Sequence, residues 1–189
     1  YLVRFADDFL IMFQYERDAQ RVYEAIIKRM ELFGLELSKE KTRILPFGRN
    51  CGTRETFDFL GFTHFNSKTR KGYYSVGHKI SRKKKKQFKS NLKKWVKENR
   101  NKQFDEFMKK LNKKLTGSFN FYSLSGMIKE VRSLWIHSLY VTFKWMNRRS
   151  QRRSFKLERF YEIWNDRIIH PYIHVNIWSG DKVIYIKNV

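Results

Sequence analysis

The spacing of apolar and polar positions divides this chain near Lys79. Before that point strand-like runs surround one helical stretch, and after it helices replace strands. Tyr1 to Gln14 holds two apolar runs on either side of Asp7-Asp8, and its β-branched and aromatic residues predict a β-hairpin with buried arms and both carboxylates at the turn. Ala19, Val22, Tyr23, Ile26, Ile27, Met30 and Phe33 then fall at helical spacing, with Asp18 as the expected N-cap and Gly34 as the C-terminal cap. One face of this helix is expected to pack on the sheet. Lys41 to Phe47 reads as a strand or edge segment ended by Pro46 and Gly48, and 49–56 reads as a loop. Phe57 to Phe65 and Tyr73 to Val76 read as a hairpin around the turn-rich Asn66 to Gly72.

Beyond Lys79 the period becomes helical. Phe88, Leu92, Trp95 and Val96 mark one helix, and Phe104, Phe107, Met108, Leu111 and Leu115 mark a second. Ile128, Val131, Leu134, Trp135, Leu139, Trp145 and Met146 trace a longer one, and Phe160, Tyr161, Ile163, Trp164 and Ile168 trace another before Pro171. Trp95, Trp135, Trp145 and Trp164 lie on these apolar stripes and are expected in the core. The tail from His174 to Val189 alternates weakly and predicts a terminal hairpin. The fold class is therefore α+β: β-hairpins with a packed helix, then an all-helical bundle. The expected domains are 1–78, 79–170 and a tail, 171–189.

Charge sharpens this division. The chain of 189 residues carries a formal charge of +23, which points to a polyanionic partner, nucleic acid ahead of an acidic membrane. Residues 1–65 hold ten basic and ten acidic residues, so the whole excess lies in residues 66–189. Within 79–114 there are sixteen Lys or Arg against three acids, a density that suits phosphate contact. Arg82, Lys83, Lys84, Lys85, Lys86, Lys89 and Lys93 are the candidate contacts there, and Arg148, Arg149, Arg152 and Arg153 form a second cluster whose forked side chains suit phosphate. Cys51 is the only cysteine, which excludes an internal disulfide framework and any cysteine-based zinc site. The five histidines have no metal-ligand spacing. No apolar run approaches the roughly 20 residues of a membrane span, and no signal region opens the chain, so an intracellular, non-secreted protein is expected.

Asp7-Asp8 is the candidate chemistry. Adjacent carboxylates at a hairpin tip are hard oxygen ligands of the kind Mg²⁺ takes, alongside waters and substrate phosphates. A pair of such ions can clamp the attacking and leaving oxygens of a phosphoryl transfer. The plainer reading is a polar turn, since Asp is a common turn residue.

Four stretches in order resemble one family. Arg4-Phe5-Ala6-Asp7-Asp8 resembles the polymerase motif usually written Tyr-Ala-Asp-Asp in reverse transcriptases of bacterial and organellar group II introns. Gly34 to Ile44 resembles the next palm motif, and Phe57-Asp58-Phe59-Leu60-Gly61-Phe62 the hairpin that closes the palm against the primer. Leu111-Asn112, Leu115 to Tyr122, the Trp-rich helix and Arg148-Arg149-Ser150 resemble the thumb or maturase domain of intron-encoded proteins. The likeness covers roughly residues 1–170.

This resemblance implies a palm remnant followed by a helical thumb or maturase bundle, in an RNA-directed DNA polymerase that adds dNTPs to a primer on an RNA template. It implies Asp7 and Asp8 as ligands of Mg²⁺, or of Mn²⁺ in its place, and Lys41 as the residue that protonates or neutralises the departing pyrophosphate. Phe5, Ala6, Leu60 and Gly61 would contact primer or template. Phe5 stands where the family usually has tyrosine; it is either an aromatic wall at the primer terminus or a buried strand residue. Gly61 either lets backbone approach the primer or is a bulge glycine. The implied partners are group II intron RNA, a template-primer duplex of RNA or DNA, and dNTP, in the bacterial cytoplasm near the nucleoid or in an organelle. The chain starts within a motif, so it reads as a fragment, and another carboxylate and the fingers are expected ahead of Tyr1. The fragment alone is accordingly expected to be inactive. Two alternatives stay open: an RNA-binding splicing maturase without significant polymerase activity, and a CRISPR- or defence-associated reverse transcriptase.

Overall fold

A computed structural model of the chain describes residues 1–38, 40–149 and 154–172. It is α+β, with two small sheets and five helices, and it divides into two compact units, Tyr1–Gly77 and His78–Val189. The expected terminal hairpin lies outside the described residues.

The first unit opens with strands β1 (Leu2–Phe5) and β2 (Asp8–Ile11), antiparallel in the register Leu2–Ile11, Val3–Leu10, Arg4–Phe9, Phe5–Asp8. The hairpin matches expectation, but its arms are not buried: β1 is exposed throughout and β2 is at most half-buried. Helix α1 (Glu16–Leu32) follows. Its N-cap is Tyr15, which makes no side-chain cap, so the expected Asp18 cap is corrected: Asp18 lies in the first turn, where its negative charge favours the positive end of the helix. The C-terminus is as expected. Gly34, at φ +66°, donates to Glu31 O (3.0 Å) and Leu35 donates to Met30 O (2.9 Å), a Schellman closure that needs the left-handed residue glycine supplies. The apolar face of α1 is only half-buried, and no residue of the helix is fully enclosed.

The segment from Lys41 to Phe47 is not a strand. It begins in a turn, where the N–H groups of Lys41 and Thr42 both donate to Ser38 O (3.0 and 2.9 Å), and it then runs without ladder pairing. The stretch that spacing alone read as one arm from Phe57 to Phe65 is two strands, with the hairpin inside Phe57–Phe62 that the resemblance implied. Strands β3 (Thr56–Phe59) and β4 (Phe62–Lys68) pair antiparallel, with Phe59 opposite Phe62, around the two-residue loop Leu60-Gly61. Both loop residues have positive φ, 51° and 87°, as a type I′ turn requires. Asp58 and Thr63 face each other in this register, and the Thr63 hydroxyl donates to the Asp58 carboxylate. A second tight turn at Thr69–Gly72 leads into β5 (Tyr74–Ile80), which joins the sheet in the order β3-β4-β5 and carries the chain across the division at Gly77.

The second unit is a four-helix bundle: α2 (Arg82–Asn99), α3 (Phe104–Tyr122), α4 (Ile128–Met146) and α5 (Leu157–Arg167). Helix α2 begins after Ser81, whose hydroxyl accepts from Lys84 N (3.4 Å), so Lys79 and Ile80 end a strand and do not open the helix. The apolar stripes meet where their spacing predicts. Val96, Phe107, Leu111, Leu115, Val131, Leu134, Phe160 and Trp164 have no solvent exposure. Truncating any of the aliphatic members would cost about 2–5 kcal/mol. Ile128 departs from its stripe at the start of α4, where it is 37% exposed. Among the tryptophans, Trp135 and Trp164 are buried, but Trp95 and Trp145 are only half-buried, which corrects their assignment to the core. Two polar ties fix the chain after α5: Asn112 Oδ1 accepts from Ile169 N (2.9 Å), and Trp135 Nε1 donates to Ile169 O (3.1 Å).

Candidate functional site

The acidic hairpin is built by its loop. With Phe5 opposite Asp8, only Ala6 and Asp7 turn the chain, so Asp7 sits in the loop and Asp8 heads β2. The first residue of such a loop must adopt positive φ, and Ala6 does so at 51° although it is not glycine. The Arg4 guanidinium Nε donates to Ala6 O (2.9 Å) and Met12 N to Tyr1 O (2.8 Å), bracing the tip and the open end. Asp7 and Asp8 are exposed, and their carboxylates make no hydrogen bond or ion pair among the described residues, so these oxygens are free to accept. Phe5 is 64% exposed, which removes the reading of it as a buried strand residue.

Lys41 is exposed on its turn, and Leu60 and Gly61 form the tip of the β3-β4 hairpin. Among the described residues, Ala6 and Leu60 are the two non-glycine positions at positive φ. Each costs on the order of 1–3 kcal/mol of backbone strain, which accumulates at functional positions. Sequence reasoning selected both residues for their motif, without a signal for the strain.

The basic residues of α2 face outward, since Leu92 and Val96 point to the core. Arg82, Lys83, Lys84, Lys86 and Lys93 are exposed and Lys89 is half-buried. The first turn of α2 contains no acid, so this cluster crowds the positive end of the helix dipole. Lys85 differs: its Nζ lies 3.0 Å from Glu130 Oε2, an ion pair that ties α2 to α4 and takes Lys85 out of the free set. In the second cluster, Arg149 donates to Lys102 O (3.0 Å), while Arg152 and Arg153 lie outside the described residues. Asn147 clamps the base of this segment, donating to Phe155 O (3.1 Å) and accepting from Phe155 N (2.8 Å).

Sequence reasoning missed a group around Trp145. Lys97 Nζ, Arg100 Cζ and Arg148 Cζ lie 5.8, 5.2 and 5.5 Å from the centre of its ring. Lys97 and Arg100, three residues apart on one helix face, gave a partial signal; their meeting with α4 gave none. Also unread was the setting of Cys51. Its thiol is held below its ordinary range, chiefly by Thr53, whose hydroxyl is shared between Cys51 Sγ (3.5 Å) and Pro46 O (3.0 Å) and whose backbone also contributes, with a further bond from Asn66 Nδ2 (3.4 Å); the thiol itself donates to Gly48 O (3.0 Å). A cleft of about 1000 Å³ between α4 and α5, walled by Trp135, Ile136, Tyr140 and Tyr161, contains none of the candidate catalytic, metal-ligating or nucleic-acid-binding residues.

Among the described residues no three His, Cys, Asp or Glu side chains group as a metal site, and no helix is long and apolar enough to cross a membrane. The acidic pair is therefore a two-carboxylate donor set of hard, unpaired oxygens, which fits a divalent cation as part of its shell. No curated protein and no solved structure compared with the chain matches it. Residues 1–64, about a third of the chain, match the family model for reverse transcriptase (RNA-dependent DNA polymerase).

Proposed function

We propose that the chain supplies the acidic hairpin of a reverse-transcriptase palm and the helical thumb that follows it, in an RNA-directed DNA polymerase of the group II intron type. The observation that carries this reading is the coincidence of the family match over 1–64 with two unpaired carboxylates on a braced, strained hairpin tip. Residues 1–78 act as the palm part and 79–170 as the thumb or maturase part, with intron RNA and a template-primer duplex as partners.

Asp7 and Asp8 would hold the divalent cations, Mg²⁺ or Mn²⁺, which when bound activate the primer 3′-hydroxyl and neutralise charge on the dNTP. The chain's own contribution is positional. The Arg4 bond to Ala6 O and the Phe5–Asp8 pairing keep the carboxylates on a rigid tip, so little reorganisation is needed when charge develops. Phe5 offers an exposed ring for the primer terminus, and Leu60-Gly61 offers a hairpin tip whose backbone can approach the strand. Lys41, exposed and on a short turn, neutralises or protonates the departing pyrophosphate. The outward cations of α2 and the arginines that follow α4 bind the phosphate backbone; the crowding at the α2 N-terminus opposes the dipole and is relieved by polyanion binding.

The test is primer extension on an RNA template with dNTPs and Mg²⁺, run with the 189-residue chain and with any longer polypeptide that carries it, beside Asp7→Ala/Asp8→Ala. Extension that the double change abolishes supports the polymerase. Extension unaffected by the change removes the acidic pair from the chemistry. Intact intron-RNA binding and splicing without extension favours a maturase that acts through RNA alone.

A further inference from the structure

Among the described residues, no carboxylate forms an ion pair with the cations around Trp145: the pairs of the second unit, Lys85–Glu130, Lys110–Glu106, Arg159–Glu162 and Arg167–Asp105, involve none of Lys97, Arg100 and Arg148. The three charges nevertheless fall within 6 Å of one ring centre. The ring face attracts each cation, and the C-terminal ends of α2 and α4 add a partial negative charge, but the cations still repel one another. An anion would relieve that repulsion.

The number of charges selects the anion. Three cations lie within 6 Å of one ring centre, and a nucleic-acid strand supplies phosphate charges in series to meet them. A lone phosphate carries about two charges against three. The surroundings are also held in place from three sides. Arg149 ties the end of α4 to Lys102 in the α2–α3 turn, Asn147 pins Phe155 by two hydrogen bonds, and Asn99 Nδ2 donates to Trp95 O (2.8 Å) at the end of α2. The cations therefore present from two fixed helix ends.

We propose that Trp145, Lys97, Arg100 and Arg148 form a phosphate-backbone clamp that binds consecutive phosphates of one nucleic-acid strand. Trp145 is the platform that sets the directions of the three cations, and it is a positioning residue. This inference rests on the nucleic-acid-binding part of the reading above and is independent of polymerisation.

Binding of labelled uridine and thymidine homopolymers by the full chain, measured over a range of salt concentrations, tests it without any polymerase step. The double change Arg100→Gln/Arg148→Gln is expected to reduce the slope of log affinity against log salt by about 1.4, at ~0.7 per lost single-strand contact. The charge-matched control Arg70→Gln/Lys71→Gln, on the exposed β4–β5 turn, is expected to change the slope by less than half that amount. Trp145→Leu is expected to weaken binding roughly two- to fivefold with all three charges kept, while Trp145→Phe retains most of the affinity. Circular dichroism establishes that each variant is folded. Equal slope changes in both double variants, or no change in the first, would overturn the clamp, leaving net charge as the whole effect. Equal results with the two homopolymers are expected for a backbone clamp; loss confined to the uridine polymer would instead assign the cluster to 2′-hydroxyl recognition and overturn it as stated. Failure of primer extension leaves these readouts untouched.

Discussion

Ala6 and Leu60 share one unusual backbone angle: each is the first residue of a two-residue hairpin loop, and each has φ of 51°. Neither residue type favours that state, because Cβ approaches the carbonyl oxygen at positive φ. Two hairpin tips in one unit thus carry strain at residues that the polymerase reading assigns to primer or template contact.

Relieving this strain should stabilise the hairpins. Leu60→Gly is expected to raise the stability of the first unit by about 1 kcal/mol, read from its denaturant midpoint. Ala6→Gly is expected to slow amide exchange at Met12, whose N–H closes the β1-β2 hairpin. If the strain serves function, both variants lose primer-extension activity while gaining stability.

Two glycine-to-alanine changes should have opposite signs. At Gly77 a Cβ would come within 2.5 Å of the Phe65 ring on the neighbouring strand, so Gly77→Ala is expected to cost about 1–3 kcal/mol. At Gly117, inside α3, a Cβ meets nothing within 4 Å, and Gly117→Ala is expected to stabilise the bundle by about 0.5–1 kcal/mol. Thermal unfolding of the two variants checks both.

The bundle should weaken as pH falls below the ordinary imidazole range. Burial, and then the nearby Lys89 charge, holds His137 below its usual value of 6.5, and burial does the same to His78. In that window the unfolded chain binds protons that the folded chain does not, so unfolding is favoured progressively as pH falls from 6.5 toward the lowered values. Stability is complete above 6.5 on this account. Urea titrations across this range should show the slope, and His137→Gln should reduce it.

Breaking the clamp at Asn147 should cost more than breaking the surface pairs. Asn147→Ala removes two hydrogen bonds to Phe155 and leaves a partly buried peptide N–H and C=O unpaired, for an expected loss of about 1–3 kcal/mol. Arg159→Gln, on a pair with both side chains well exposed, is expected to change stability by less than about 0.5 kcal/mol. Chemical denaturation distinguishes them.

The thiol of Cys51 should be alkylated at a lower pH than a free cysteine, since hydrogen bonds from Thr53 and Asn66 favour its thiolate. Thr53→Ala is expected to move the pH midpoint of alkylation upward.

Much of the site was legible because it rests on local chemistry. Two apolar runs of strand-like composition around Asp7-Asp8 predicted the hairpin, and the two carboxylates stand at its tip as expected. Burial was harder to read. The same apolar runs predicted enclosed arms, yet β1 is exposed, because whether an apolar strand is covered depends on what packs against it and not on its own composition. Lys41 to Phe47 has a strand's composition but lacks the ladder partner that would make it one.

The sequence by itself determined the change from strand to helix period, the helical stripes that bury Leu111, Leu115 and Trp164, and the separation of a charge-balanced part from a basic one. These follow from the repeat of each element and from covalent order. Only the tertiary structure decided that Lys85 is paired with Glu130, that Trp145 stands among three cations, and that Leu60 turns its hairpin at positive φ. The first two join α2 to the start and end of α4, and which faces of distant helices meet is settled by packing, which no local period encodes. The third sets a leucine at positive φ against its own preference, a choice that strand pairing on either side imposes.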